Sequence, residues 1–274
     1  MKIIAIWLAV GLAFCQPGSC LASDAKTVAV IGTGEMGGAM GGRLAELGYR
    51  VVYGSRHPDS ARVQDLVRQT GENASAALQP EAAKQGDIVV LAVPWPAMET
   101  VARNLGDLSG KIVIDVSMPF EQGEDGYPKH MLQTSSAELI QGWNPGARVV
   151  KAFGSMGAYI IEDPTAAGET VTIPVASDDR AARETVAKIV ARMGLDPVDF
   201  GPLRMARQIE NLQMIYMIPL VQNRPENWEF HFLRADHFGC YRSGETTAEG
   251  LVAPYDDGDL AVFPGSGEAL RPCP

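Results

Sequence analysis

Between Thr27 and Phe200, short runs of β-branched and apolar residues alternate with longer stretches of helical period. The runs predicted as strands are Thr27 to Ile31, Arg50 to Tyr53, Ile88 to Val93, Lys111 to Val116, Arg148 to Phe153, Thr170 to Ala176 and Asp196 to Asp199. Most are continuously apolar, which is the pattern of strands buried on both faces. Helices are predicted over Met36 to Leu47, Ser60 to Gln69, Glu81 to Gln85, Ala97 to Leu105, Asp178 to Met193 and Arg204 to Met217. Gly48, Gly71, Gly86 and Gly194 stand where C-terminal caps belong, Asp178-Asp179 reads as an N-cap, and Asp59 reads as the cap of the helix after it. This alternation predicts an α/β architecture, a Rossmann-type doubly wound parallel sheet. After Pro219 no period remains, and residues 220–274 read as a loop-rich C-terminal extension.

The start of the chain has a different character. Lys2 precedes an apolar run from Ile3 to Cys15, followed by a break and the small residues of Ser19-Cys20-Leu21-Ala22. That is a signal-peptide layout over residues 1–22, too short for a comfortable membrane span, so export to a periplasmic or secreted location is expected without stable membrane insertion. The folded domain is then expected over residues 26–219. Removal of the signal takes Cys15 and Cys20 with it and leaves Cys240 and Cys273, for which a disulfide and two free thiols both stay open. His231, Asp236, His237 and Cys240 fall within ten positions, but their spacing matches no zinc pattern, and no metal site is expected.

Composition narrows the ligand class. The formal net charge is −10 and the 23 Lys and Arg residues are scattered. A nucleic-acid surface needs clustered basic residues, so a small molecule is the expected partner.

The chemistry starts at Gly32-Thr33-Gly34-Glu35-Met36-Gly37, which follows the first strand directly and opens the first helix. In that setting Gly32 allows the tight turn, Gly34 leaves room for a pyrophosphate, Gly37 lets the helix pack closely, and the helix N-terminus offers free N–H groups to the phosphates. Gly38, Gly41 and Gly42 extend a small-residue face read as close packing. An acid at the end of the second strand would select NAD, but the chain there reads Tyr53-Gly54-Ser55-Arg56-His57. A hydroxyl and a guanidinium in place of the acid point to NADP(H), with its 2′-phosphate held by Ser55 and Arg56. The loops Ala92 to Ala97 and Val116 to Pro119 should complete the crevice at the carboxyl ends of the strands.

Four segments resemble the NADPH-dependent reductases of the deazaflavin coenzyme F-420 and the related cytosolic domain of six-transmembrane ferric reductases. They are Val30 to Gly37, Gly54-Ser55-Arg56, Leu91 to Pro94, and Val149 to Phe153 with Gly201-Pro202-Leu203 later in the chain. The resemblance implies hydride transfer between NADP(H) and a flat flavin or deazaflavin carrier, with the protein supplying placement rather than acid–base groups. It places cofactor contacts on Thr33 to Met36, Ser55, Arg56, Ser60, Val93, Ala97, Ser117 and Ala152. No catalytic side chain is assigned, and a homodimer is the assembly kept open. The family carries Asn or His after Lys-Ala-Phe, whereas this chain continues Gly154-Ser155-Met156-Gly157. A small-substrate imine or hydroxyacid reductase and an exported NADP-binding protein without turnover are the competing functions. Lys151 is open between a structural ion pair, a snorkelling side chain and a catalytic role. Met205, Met214 and Met217, with Ile215 and Ile218, are expected to form the core face of the last helix, and Glu210 and Asn211 to face the cleft.

Overall fold

The computed structural model describes residues 26–233. The segment 1–22, Cys240, Cys273, and Asp236 and His237 of the weighed metal cluster lie outside the described residues. In chain order the elements are β1 (Thr27–Ile31), α1 (Glu35–Glu46), β2 (Arg50–Ser55), α2 (Ala61–Thr70), β3 (Ala74–Leu78), α3 (Gln79–Gln85), β4 (Ile88–Leu91), α4 (Trp95–Asn104) and β5 (Ile112–Asp115). There follow β6 (Phe120–Gln122), β7 (Pro128–His130), α5 (Ser136–Trp143), β8 (Arg148–Lys151), α6 (Ala158–Glu162), β9 (Thr172–Ala176), α7 (Arg180–Arg192), β10 (Asp196–Gly201) and α8 (Ala206–Val221).

Eight strands form one sheet in the order β10-β9-β8-β5-β4-β1-β2-β3, and β6 and β7 form a separate hairpin. β1 pairs in parallel with β2 on one side and β4 on the other. The winding direction reverses at that point, which opens a crevice at the carboxyl ends of β1 and β4. The sheet is mostly parallel: β9 joins β8 antiparallel through Lys151 and Ala176, and β10 runs parallel to β9.

The apolar runs are explained by cover on both faces. Val28, Val30, Val51 and Tyr53 share one core with Met40 and Leu44 of α1, and further along the sheet Val150, Ile173 and Val175 share it with Val186 and Ile189 of α7. Ala29, Ile31, Val52, Val89 and Leu91 face the other way, against Ala82, Met98 and Ile140 of α3, α4 and α5. Alternate residues of one strand therefore sit in different cores, and no face is left for polar alternation.

Five elements lie outside the set predicted from periodicity. β3 is an edge strand of Ala-Ser-Ala-Ala-Leu, residues with little β preference, held by pairing with β2. The β6–β7 hairpin turns through Asp125-Gly126, a legible turn signal between strands too short to show alternation. α5 carries a full capping box between Ser135 and Glu138, which the Ser-x-x-Glu spacing announced. α6 is a five-residue helix, too short for a periodic signal. α8 runs on past Met217 to Val221 with Pro219 inside its last turn.

Two N-cap assignments are sharpened. α2 is capped at Ser60 rather than Asp59. Asp179 caps α7 by accepting from Ala182 N, while Asp178 accepts from Leu203 N at 2.9 Å and ties α7 to the connection before α8. Gly86 is the C-cap of α3, its N–H donating to Ala82 O at 3.1 Å, but it is not left-handed; a Cβ there would lie 2.8 Å from Ala29 Cβ and 2.7 Å from Ile88 O, so close backbone approach explains the glycine. After α8 the described part of the extension is irregular but attached: Phe230 O accepts from Thr172 N at 2.7 Å, and Glu229 accepts from Tyr159 OH at 2.7 Å.

Candidate cofactor site

The glycine loop divides its labour as the sequence suggested. Gly32 holds φ +117 and donates to Gly54 O at 3.1 Å, and an added Cβ would meet Ala92 O at 2.2 Å. A Cβ on Gly37 would meet Gly32 O at 2.2 Å, so α1 packs directly on the turn. Gly34 is the N-cap of α1 and has open space where a Cβ would stand, the cradle a pyrophosphate needs. Gly41 rests against the buried Tyr53 ring, which confirms the packing role for that position; Gly42 faces open space.

Beside this loop lies a cavity of about 800 Å³ between β1, β2 and β4. Of the expected cofactor residues, Gly32, Thr33, Gly34, Ser55, Arg56, Ser60, Val93 and Ala97 line it. Arg62, which the sequence reading passed over, lines it too and donates to Thr33 O at 3.2 Å. The Ser60 hydroxyl is already used on His57 O at 2.9 Å, and Ser55 Oγ accepts from His57 N at 3.1 Å. The lining holds two guanidiniums and no carboxylate, a field suited to a phosphate at the end of β2.

Five expected contacts fall elsewhere. Glu35 lines an adjoining groove with Gly38 and Arg43, which shares Thr33, Gly34 and Arg62 with the cavity, and Met36 and Gly37 turn into the packing of α1. Ser117 and Ala152 sit beyond β5 and β8, at the same carboxyl edge but away from the cavity. The Ser117 hydroxyl donates to Asp115 Oδ1 at 2.6 Å, and Ala152 is fully buried.

Behind Ser117 the structure buries a charged cluster whose members are far apart in the sequence. Lys151 Nζ lies 3.0 Å from Asp115 Oδ2 and 3.2 Å from Glu210 Oε1, with all three side chains fully buried. It also donates to Ser117 O at 2.7 Å and Ser136 Oγ at 2.8 Å. Lys151 is thus a buried ion-pair residue, and it fastens the loop after β5. Glu210 was expected in the cleft and lies in the core instead, whereas Asn211 is exposed. The buried face of α8 consists of Ala206, Ile209, Glu210, Gln213, Tyr216, Met217 and Pro219, packed chiefly against β7 with α5 and β9, and leaves Ile215 outside. Burial pushes Glu210 up, but the Lys151 charge and hydrogen bonds from His130 and Ser136 outweigh it and hold the carboxyl below 4.5. Near the cluster, Arg207 and the hydroxyls of Ser135 and Thr134 hold Glu138 down at about 2 against its partial burial. Among the described residues no group of His, Cys, Asp and Glu is arranged to hold a metal, and His231 is bound to Thr170 O at 2.7 Å.

His130 closes the cluster toward solvent, its Nε2 2.8 Å from Glu210 Oε2. That hydrogen bond, opposed by burial, raises the imidazole above 6.5. Its contribution to stability is therefore complete below 6.5 and is lost as the pH rises through the raised folded-state value. Urea midpoints across the neutral range should fall with rising pH in the parent, and this slope should flatten in His130→Gln. An unchanged slope in the variant would remove His130 as its source.

The fold and the cavity define a Rossmann-type dinucleotide-binding oxidoreductase domain. Residues 27–119 match the family model described as NADP oxidoreductase coenzyme F420-dependent. The F420-dependent NADP reductase of Methanothermobacter thermautotrophicus is 29% identical over 214 residues, covering 74% of this chain and 92% of that protein. Metalloreductase STEAP3 of Rattus norvegicus is 30% identical over 193 residues, 70% of this chain but 37% of that protein, so the chain spans little over a third of this relative. A putative F420 dependent NADP-reductase from Arthrobacter sp. FB24 superimposes with a TM-score of 0.68 at 29% identity, over 76% of this chain and 99% of that one. Over residues 27–119 the chain is thus similar to the NADP oxidoreductase, coenzyme F420-dependent, family.

Proposed function

We propose that this chain transfers hydride between NADPH and a flavin-like or deazaflavin redox carrier. The observation that carries the cofactor half is the cavity at the end of β2, where Arg56 and Arg62 stand with no carboxylate and Gly34 leaves the phosphate approach open. Ser55 and Arg56 bind the 2′-phosphate, the N–H groups at the start of α1 bind the pyrophosphate, and Val93 and Ala97 line the path between them. When bound, NADPH supplies the hydride. The carrier half draws support from the likeness to the archaeal reductase over nearly its whole length. The chain's own residues place and enclose the reactants, and the Lys151 cluster stiffens the loop beyond β5.

The test is NADPH oxidation by the purified protein with a panel of deazaflavin, flavins, an imine and a ketoacid. Turnover with deazaflavin or flavin supports the proposal, turnover with the imine or ketoacid alone supports the small-substrate reading, and no oxidation with any of them would sink an enzyme role. Export through residues 1–22 belongs to the same proposal, and the mature N-terminus of the native protein, read by mass spectrometry, decides it.

A further inference from the structure

Where the loop after β8 meets α8, the fold leaves two polar atoms unanswered. Ser155 Oγ and Gln213 Oε1 are both buried, with residue exposures of 1% and 0%, and neither has a hydrogen-bond partner. Buried polar groups are almost always paired, and an unpaired one costs folding free energy. The amide orientation of Gln213 is set by the structure: its Nε2 donates to Ser117 O at 3.3 Å, an acceptor, so the oxygen is the atom left over. Its position is set too. A Cβ on Gly154 would lie 1.8 Å from Gln213 Nε2, so the glycine is what lets the amide enter from α8. The residue before it, Phe153, is buried with φ 62, a backbone conformation that bulky residues rarely adopt and that clusters at binding sites.

These features sit at the carboxyl edge of β5 and β8, against Ser117, on the side of the glycine loop away from the 2′-phosphate cavity. A dinucleotide anchored at Arg56 and Gly34 extends its other end across this edge. One orphan is a pure acceptor and the other a hydroxyl able to donate. A primary carboxamide offers the complement, N–H to the first and C=O to the second. We propose that Gln213 and Ser155 bind the carboxamide of the nicotinamide ring, Gln213 Oε1 accepting from its NH2 and Ser155 donating to its oxygen. The proposal rests on the NADP(H) reading above. Gln213 and Ser155 are then positioning residues that fix which way the ring turns, and the unpaired state costs the unliganded fold stability that cofactor binding returns.

Binding and melting measurements test it without turnover. The ligands are NADP+, its 3-acetylpyridine analogue, in which a methyl group replaces the amide nitrogen, and 2′,5′-ADP, which keeps the 2′-phosphate and lacks the ring. The parent should prefer NADP+ to the analogue by about 3- to 10-fold, the worth of one hydrogen bond. Gln213→Leu should abolish that preference while leaving 2′,5′-ADP affinity unchanged. Ser155→Ala should weaken NADP+ by a similar factor, yet the melting temperature without ligand should rise by about 2–4 °C, because an unanswered buried hydroxyl is gone. A merely structural serine would give a fall instead. Preference retained in Gln213→Leu, or Ser155→Ala melting lower with NADP+ affinity intact, would overturn the proposal while 2′,5′-ADP binding still upheld the cofactor reading. Failure of the parent to bind 2′,5′-ADP would overturn both.

Discussion

Replacing Lys151 by methionine should lower folding stability by about 3–5 kcal/mol, the cost of leaving buried charges without their partner. For a domain of this size that is a fall in melting temperature of roughly 6–20 °C. The reason lies in the count of charges around one ammonium. Asp115 and Glu210 are each fully buried and both lie within salt-bridge distance of Nζ, so the variant keeps two carboxylates in the core and only His130 to answer them. Without the Lys151 charge, burial pushes the Glu210 carboxyl up toward proton uptake, and the gap between variant and parent should narrow as the pH falls from 8 toward 5. Adding Glu210→Gln to Lys151→Met should recover part of the loss. Methionine tolerated at neutral pH with no change in melting would mean that the cluster is not what holds the loop after β5 to β8.

Arg56→Glu should weaken NADPH binding by about 100- to 1,000-fold and leave NADH binding close to its parental value. Losing a charge-assisted hydrogen bond to the 2′-phosphate costs about 1.5–3 kcal/mol, and a carboxylate against that phosphate adds repulsion. Arg56 is exposed at the end of β2 and lines the cavity, so the fold should be almost unaffected. Fluorescence titration with both nucleotides separates the outcomes. Parental NADPH affinity in the variant would place the 2′-phosphate elsewhere, with Arg62 the next guanidinium in the same cavity.

These two residues mark the division between what could be read along the chain and what could not. Arg56 can be singled out as a candidate because the rule behind it is local: a strand, a turn and the residue type at the turn decide which ribose substituent is welcome. The glycine loop was legible for the same reason, since a positive φ at Gly32 and contact at Gly37 are demands of adjacent backbone. Lys151 could be noticed but not assigned. Its partner Asp115 is 36 positions earlier, and Ser136 meets Glu210 across 74 positions, so no window of sequence contains the cluster. Glu210 was placed in the cleft because polar residues on a helix are expected to face water; only the charges packed against it reverse that expectation.

By itself the sequence determined the strand and helix alternation from Thr27 onward, the covered sheet, the phosphate loop and the preference for NADP(H), because each follows from periodicity or from backbone geometry within a few residues. The tertiary structure alone decided that β9 enters antiparallel, that Asp115, Ser136, Lys151 and Glu210 share one buried site, and that Gly154 exists to admit the Gln213 amide. Those facts depend on which distant elements the packing of two cores brings together, and side chains that meet only in three dimensions leave no period in one.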